Sequence, residues 1–127
     1  MPARFTTAFR NAVLNGGVNA ALGTSATLQI RTGPPGSTIG SNTGTVLATF
    51  TLASTPFQPA AAGSVTNTAV SPVNGSATGS AGCAHLLDST STVVADYDEA
   101  DASLDVVPNS IVSGAPVNLN FITLSIT

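Results

Sequence analysis

The sequence contains no lysine and no tryptophan, and its only basic residues are Arg4, Arg10 and Arg31. With a net charge of −3, it lacks the many Lys/Arg–phosphate contacts on which sequence-independent nucleic-acid binding rests, so direct binding of nucleic acid is not expected. Cys83 is the one cysteine, which excludes an intrachain disulfide. No apolar run approaches the roughly 18 residues of a membrane-spanning helix, so no membrane role is expected. Arg10 interrupts the segment where a secretory signal would have its apolar centre. Charged residues make up only 7% of the chain, against about 25% in ordinary soluble domains.

What is present is a β-former's composition. The 127 residues are 43% hydrophobic, enough for one domain with a core of its own and too apolar for a disordered chain. Ser, Thr, Gly, Ala and Val dominate, a profile of β-rich proteins that turn much of their surface to neighbours. The few charges are segregated. The three arginines lie in the first quarter, whereas Asp88, Asp96, Asp98, Glu99, Asp101 and Asp105 all follow residue 87. Such asymmetry can orient a subunit against a partner.

The stretch that organises the rest is residues 116–127. Val117, Leu119 and Phe121 alternate with Asn118 and Asn120, then the phase slips and Ile122, Leu124 and Ile126 alternate with Thr123 and Ser125. Side chains in a strand alternate with period two, so the slip calls for a β-bulge or a strand passing between packed sheets. We expect this strand to be paired in the middle of a sheet.

Residues 3–15 form the one good helix candidate, with Phe5, Phe9, Ala12 and Val13 on one stripe and Gly16-Gly17 as its stop. Two readings are open: an arm that docks on a partner, or a plug for one end of the β domain. Residues 18–22 are a short, weak element. Strands are expected over residues 26–32 with Ala26, Leu28 and Ile30 inward, over 45–52 with Val46, Ala48, Phe50 and Leu52 inward, and over 64–70. Further strands are expected at Val93, Val94, Ala95 and Tyr97, and at Leu104, Val106 and Val107. The long loop 33–44, with Ile39 its one large apolar residue, either packs on a neighbour or folds back on its own sheet. Phe57, between Pro56 and Pro59, is expected to pin the loop 53–63 to the core. Pro72 and Asn74-Gly75 mark a turn. Residues 76–87 are small-sided, which allows close approach of a packed sheet or another chain. Seven or eight strands with no helix between them exclude the βαβ pattern.

Catalytic chemistry has little to work with. His85 is the one histidine, and Thr78-Gly79-Ser80-Ala81-Gly82 is not a Gly-x-Ser-x-Gly elbow because Thr78 stands where the first glycine belongs. Cys83 and His85 share a strand face but are too few for a structural zinc site. Asp98-Glu99-Ala100-Asp101 has the letters of a helicase tetrad without a phosphate loop. Together with Asp96 it could hold a hard cation, though a solvated acidic turn is the default reading. Asn74-Gly75-Ser76 fits the glycosylation triplet, with nothing else pointing to secretion. No enzyme activity, metal or cofactor is expected.

The layout as a whole resembles a family of small structural proteins of tailed bacteriophages. The residues that carry the resemblance are the helix Phe5-Thr6-Thr7-Ala8-Phe9-Arg10-Asn11-Ala12-Val13-Leu14, the strand end Ile30-Arg31-Thr32-Gly33, and Leu47-Ala48-Thr49 followed by Pro56-Phe57. Ala77-Thr78-Gly79-Ser80-Ala81, then Ser110-Ile111-Val112-Ser113-Gly114-Ala115-Pro116-Val117 and Phe121-Ile122-Thr123-Leu124, complete it. Relatives often carry an aromatic where this chain has Gly82-Cys83-Ala84-His85. The resemblance implies a virion protein, with some members similar to capsid decoration (cement) proteins of jelly-roll-like fold, and it implies no catalytic residues.

The expectations are therefore an all-β, antiparallel, jelly-roll-like β-sandwich with a short N-terminal helix, organised as an arm over residues 1–17 and a single domain over 18–127. The expected role is capsid decoration: binding the outer surface of an icosahedral head and stabilising contacts between major capsid proteins, as a homodimer or homotrimer on the virion. Alternatives are a tail, baseplate or fibre subunit, or a glycan-binding virion module. The expected partner contacts are Arg4, Phe5, Phe9, Arg10 and Ile39.

Overall fold

The computed structural model describes residues 4–58, 65–98, 104–107 and 109–124. The fold is mostly β, 46% strand and 11% helix, with antiparallel sheets and two short helices. A first strand β1 (Arg4–Phe5) leads into α1 (Thr7–Gly16) and α2 (Val18–Leu22), followed by β2 (Thr27–Arg31) and β3 (Val46–Thr51). Four strands come next: β4 (Val65–Thr66), β5 (Val73–Asn74), β6 (Gly79–Ser80) and β7 (Cys83–Leu87). The chain continues through β8 (Val93–Asp98), β9 (Leu104–Val107), β10 (Ser110–Ile111) and β11 (Pro116–Leu124).

The N-terminal helix differs from its expected bounds. Residues 4 and 5 are extended and pair with β8, Arg4 opposite Asp96 and Phe5 opposite Ala95. The helix begins only after Thr6, whose hydroxyl accepts a hydrogen bond from the Phe9 N–H at 3.1 Å, as an N-cap does. It ends at Gly17, which adopts φ +95° and donates its N–H to the Val13 carbonyl at 2.8 Å, a conformation that favours glycine. Phe9 is 3% exposed, and Phe5 and Val13 pack partly buried against the same core. Phe5, Phe9 and Val13 of the stripe read from the sequence thus close onto the β domain, whereas Ala12 is exposed on the other side of the helix.

The larger sheet has strand order β1-β8-β7-β2-β3. Leu28, Ile30, Ala48, Phe50, Ala84, Leu86, Ala95 and Tyr97 fill its inner face, as the period-two alternation dictates. β11 organises the second, four-stranded sheet. It meets β5 at Pro116 and Val117, β9 from Asn118 to Ile122, and β4 at Thr123 and Leu124. The expected phase slip is a bulge between Leu119 and Phe121, placed so that Val117, Leu119 and Ile122 are all buried. Ser125 and Ile126 lie outside the described residues, as do Pro59 and the rest of 59–64. Among the described residues β6 pairs only with β10. Apolar side chains from both larger sheets join one core cluster.

Asn74-Gly75 does not form the expected hairpin turn. Gly75 instead bridges Ser113 in parallel, and its N–H donates to the Ala115 carbonyl at 2.9 Å. A Cβ there would lie 2.6 Å from the Val112 carbonyl oxygen, so the glycine serves close backbone approach rather than a turn. The strand expected over 64–70 is formed only at β4, with an isolated bridge from Asn67 to Phe57. Asn67 takes over the pairing with β11: its N–H donates to the Ile122 carbonyl at 3.1 Å, and its Oδ1 accepts from the Ile122 N–H at 2.8 Å.

Candidate functional site

The second face of the larger sheet is where the chain's unusual chemistry collects. Cross-strand partners share a face in an antiparallel sheet. The ladders therefore set Arg4, Asp96, His85, Gln29 and Thr49 in one row across five strands. The next row holds Asp98, Cys83 and Arg31. Both rows follow from the alternation that sends Phe5, Ala95, Leu86, Leu28 and Phe50 to the core.

Asp96 is the centre of this face. It is only 1% exposed. Its carboxylate accepts from Arg4 Nε at 2.8 Å and Nη2 at 2.5 Å, and from the Gly40 N–H at 3.3 Å. A carboxylate so buried needs a paired cation and further donors to stay charged. The bond to Asp96 is the main reason the Arg4 guanidinium is held above its ordinary value, with burial opposing it. Arg4 also donates to the Gly36 carbonyl at 2.8 Å and, at 3.4 Å, to those of Ser37 and Thr38. The ion pair therefore holds the loop 33–44 as a strap.

Other bonds fix the strap's ends. Asn42 Nδ2 donates to the carbonyls of Thr32 and Pro34 at 3.1 and 2.8 Å, and Arg31 Nη1 donates to the Gly44 carbonyl at 3.1 Å. The reading of this loop as folding back on its own sheet is what the structure shows. Arg31 also binds Gln29 Oε1 through Nε and Nη2.

His85 is 2% exposed, and its Nε2 has no hydrogen-bond partner. Burial, then the charge of Arg31, lowers its pKa, while Asp96 opposes the shift. The imidazole is neutral at pH 7. Burial, then Asp96, pushes the Cys83 thiol up to about 11, so it is not a thiolate at neutral pH. Ser80 lies in the separate β6–β10 pair. Cys83, His85 and Asp96 share a face, but Asp96 is committed to Arg4 and His85 Nε2 reaches no partner. Among the described residues, no group of three or more His, Cys, Asp or Glu could hold a metal ion. Glu99 and Asp101, from the cation reading, lie outside the described residues.

The five residues expected to meet a partner are placed as follows. Arg4 is bound to Asp96. Phe9 is buried, and Phe5 is half-buried between Phe9 and Tyr97, with ring centroids 6.1 and 6.2 Å away. Arg10 and Ile39 are half-buried, and Arg10 donates to the Thr7 hydroxyl at 3.4 Å. The outward face of α1 is Thr7, Ala8, Asn11 and Ala12.

Sequence reasoning missed two asparagines that do structural work. Asn67 completes the β11 pairing, and Asn19 exchanges two 2.9 Å bonds with the backbone of Phe57, pinning α2 to the loop that Phe57 anchors. No local signal marks either, since both bond to backbone far away in sequence. No helix among the described residues is long and apolar enough to cross a membrane.

Seven charged residues are described, Arg4, Arg10, Arg31, Asp88, Asp96, Asp98 and Asp105; Asp96 is buried and the other six are half-buried. Comparison with protein-family models, with curated proteins and with solved structures finds no match to this chain.

Proposed function

We propose that the protein is a bacteriophage capsid decoration protein: a jelly-roll-like β-sandwich that binds the outer surface of the assembled head and stabilises contacts between major capsid proteins. The observation that carries this reading is that none of the seven described charged residues is fully exposed. A covering of Ser, Thr, Asn, Gly and Ala loses little on contact with another protein, whereas ions must be desolvated. Charged residues are likewise depleted at the centres of protein interfaces. The motif layout along the chain supports the same reading.

In this reading the protein works by linkage. A subunit that binds only the assembled lattice stabilises it by mass action, and many copies multiply the effect. The outward face of α1 with Arg10, and the strap near Ile39, supply the contacts. Phe5 and Phe9 stiffen the helix from behind. The protein acts as a homodimer or homotrimer matched to lattice symmetry, and it carries out no catalysis.

The same surface would suit a tail, baseplate or fibre subunit, and copy number separates the two. Quantitative mass spectrometry of virions from the phage that encodes this chain should find it in a simple ratio to the major capsid protein. A handful of copies per virion would move it to the tail. Absence from the virion would refute the structural reading altogether. The glycan-binding alternative loses its one candidate platform, because Tyr97 is fully buried.

A further inference from the structure

His85 lies under the strap. The chain leaves β2 at Thr32, and Gly33 passes so close to the start of β7 that a Cβ on Gly82 would lie 2.2 Å from its carbonyl oxygen. Residues 36–40 then reach the far side of the sheet. There Arg4 on β1 holds the carbonyls of Gly36, Ser37 and Thr38, and Asp96 on β8 accepts from the Gly40 N–H. At Asn42 and Gly44 the chain is back over β2, bonded to Thr32 and Arg31. β7 lies between β8 and β2, so the strap crosses it going out and coming back. That crossing accounts for the burial of Cys83 and His85, 1% and 2% exposed, on the face turned away from the core.

The bonding beneath the strap suits a neutral ring. Asp96 stands directly opposite His85, and the Cβ atoms of such a pair are about 5 Å apart. Its carboxylate is already engaged: Oδ1 by Arg4 Nε, and Oδ2 by Arg4 Nη2 and the Gly40 N–H. Gln29, opposite His85 on the other side, has its Oε1 held by Arg31. His85 Nε2 is left without a partner. A neutral imidazole bears that at modest cost. An imidazolium carries a charge and a donor on each nitrogen, and a buried charge needs a partner. The other groups facing it are Arg31, a like charge on β2, Cys83 on its own strand, Asp98 one row along β8, and Arg4 behind Asp96. The strap, residues 33–44, has no titratable side chain. The acceptor directly opposite is therefore the same carboxylate that clamps the strap. Turning it toward β7 gives up the Gly40 N–H first, at 3.3 Å the longest of its bonds.

We propose that His85 is a proton-sensitive latch for the strap: taking up a proton draws Asp96 toward β7, breaks its bond to Gly40 and frees residues 36–40 from the sheet, while the ladder beneath stays paired. The sign follows from burial. The closed strap favours the neutral ring, which lowers the folded pKa, so the strap is held at neutral pH and released as pH falls through that value, below about 6.5. The latch goes beyond the proposed function and touches it in one respect: the contacts assigned to the strap near Ile39 are offered in one form at neutral pH and in another in acid.

The experiment is amide hydrogen exchange of the purified full chain, read by NMR from about pH 7.5 to about pH 4.5 beside His85→Gln. Rates are expressed as protection, which removes the intrinsic pH dependence of exchange. In the wild type, protection of the Gly40 amide should fall at least about threefold, with the midpoint of the His85 ring titration, while the amides of the central strand β2 keep theirs. In His85→Gln that step should vanish. Should the variant fail to fold, the wild type decides alone, because the Gly40 and His85 midpoints must coincide. Gly40 protection that is flat through the His85 titration, or a mismatch of the two midpoints, would overturn the proposal. So would an equal loss in His85→Gln, which would put the proton on a carboxylate, or a simultaneous loss in β2, which is global unfolding. The measurement uses the free chain, so none of these outcomes bears on the decoration reading, which copy number in the virion tests separately.

Discussion

Replacing Arg4 by methionine tests whether the Asp96 ion pair is the structural clamp its geometry describes. The change keeps the packing of the aliphatic stem and removes both guanidinium bonds to a carboxylate that is 1% exposed. Asp96 is then left with one donor, the Gly40 N–H at 3.3 Å. Breaking a buried pair by deleting one partner costs about 3–5 kcal/mol. The Arg4 side chain is 21% exposed, so water can reach the vacated position, and the lower end applies: about 3 kcal/mol. For a chain of this length that lowers Tm by about 10 °C. Asp96→Leu should cost less, about 1–2 kcal/mol, because the arginine left behind keeps its strap carbonyls and some solvent. The double variant removes both charges and should cost less than the sum of the singles by about 2 kcal/mol. Equilibrium urea unfolding of the four proteins measures each term, with equal m values as the check on comparable unfolded states. The reasoning fails if Arg4→Met costs under about 1 kcal/mol and the two changes add, since that is how an exposed surface pair behaves.

Three further outcomes follow from the same face and its neighbours. The folded-state pKa of His85 is lowered, so the unfolded chain binds the proton first. Stability from this group is complete above the unfolded value of about 6.5 and is lost as pH falls from there through the folded pKa. NMR titration of this single histidine should give a midpoint below 6.5, and His85→Gln should remove the corresponding part of the acid destabilisation; a midpoint at or above 6.5 would contradict the burial argument. Gly82→Ala places a Cβ 2.2 Å from the Gly33 carbonyl oxygen and should cost at least about 2 kcal/mol in urea unfolding. Gly114→Ala meets open space at φ +84° and should cost only about 1 kcal/mol. Cys83 is 1% exposed with its thiol pushed up to about 11, so labelling by a disulfide reagent at pH 8 should follow global unfolding; fast stoichiometric labelling of the native protein would refute that.

How far the fold could be read from sequence depended on the range of the interaction. Ala26, Leu28, Ile30, Ala48 and Phe50 announce their strands because alternation is local, and all five are fully buried. The bulge in β11 was visible as a phase slip for the same reason, displaced by one or two residues because either side of Asn120 can absorb the extra residue. Gly82 could be read as a point of close approach, though not that its neighbour would be Gly33 within the same chain. The helix start was misplaced because Phe5 has helical spacing from Phe9 and Val13 but is drawn, with Arg4, into a strand by β8, a partner some 90 positions away. Asn67, Asn19 and the bond between Arg4 and Asp96, separated by 92 residues, left no local trace. A polar side chain that replaces a missing ladder bond looks, in sequence, like any loop asparagine.

The segregation of charge along the chain gains a physical meaning from the clamp. An arginine at the N-terminal end and an aspartate on β8 can meet only once the larger sheet is in register, and their meeting fixes three things together: the β1 pairing, the docking of α1 behind Phe5 and Phe9, and the strap over residues 36–40. Arg31 does similar work through Gln29 and Gly44. A chain with nine charges that commits Arg4 and Arg31 to its own architecture keeps few for its surface, and it forgoes the solubility that exposed charge confers. Such a sequence suits a protein whose faces end against other protein.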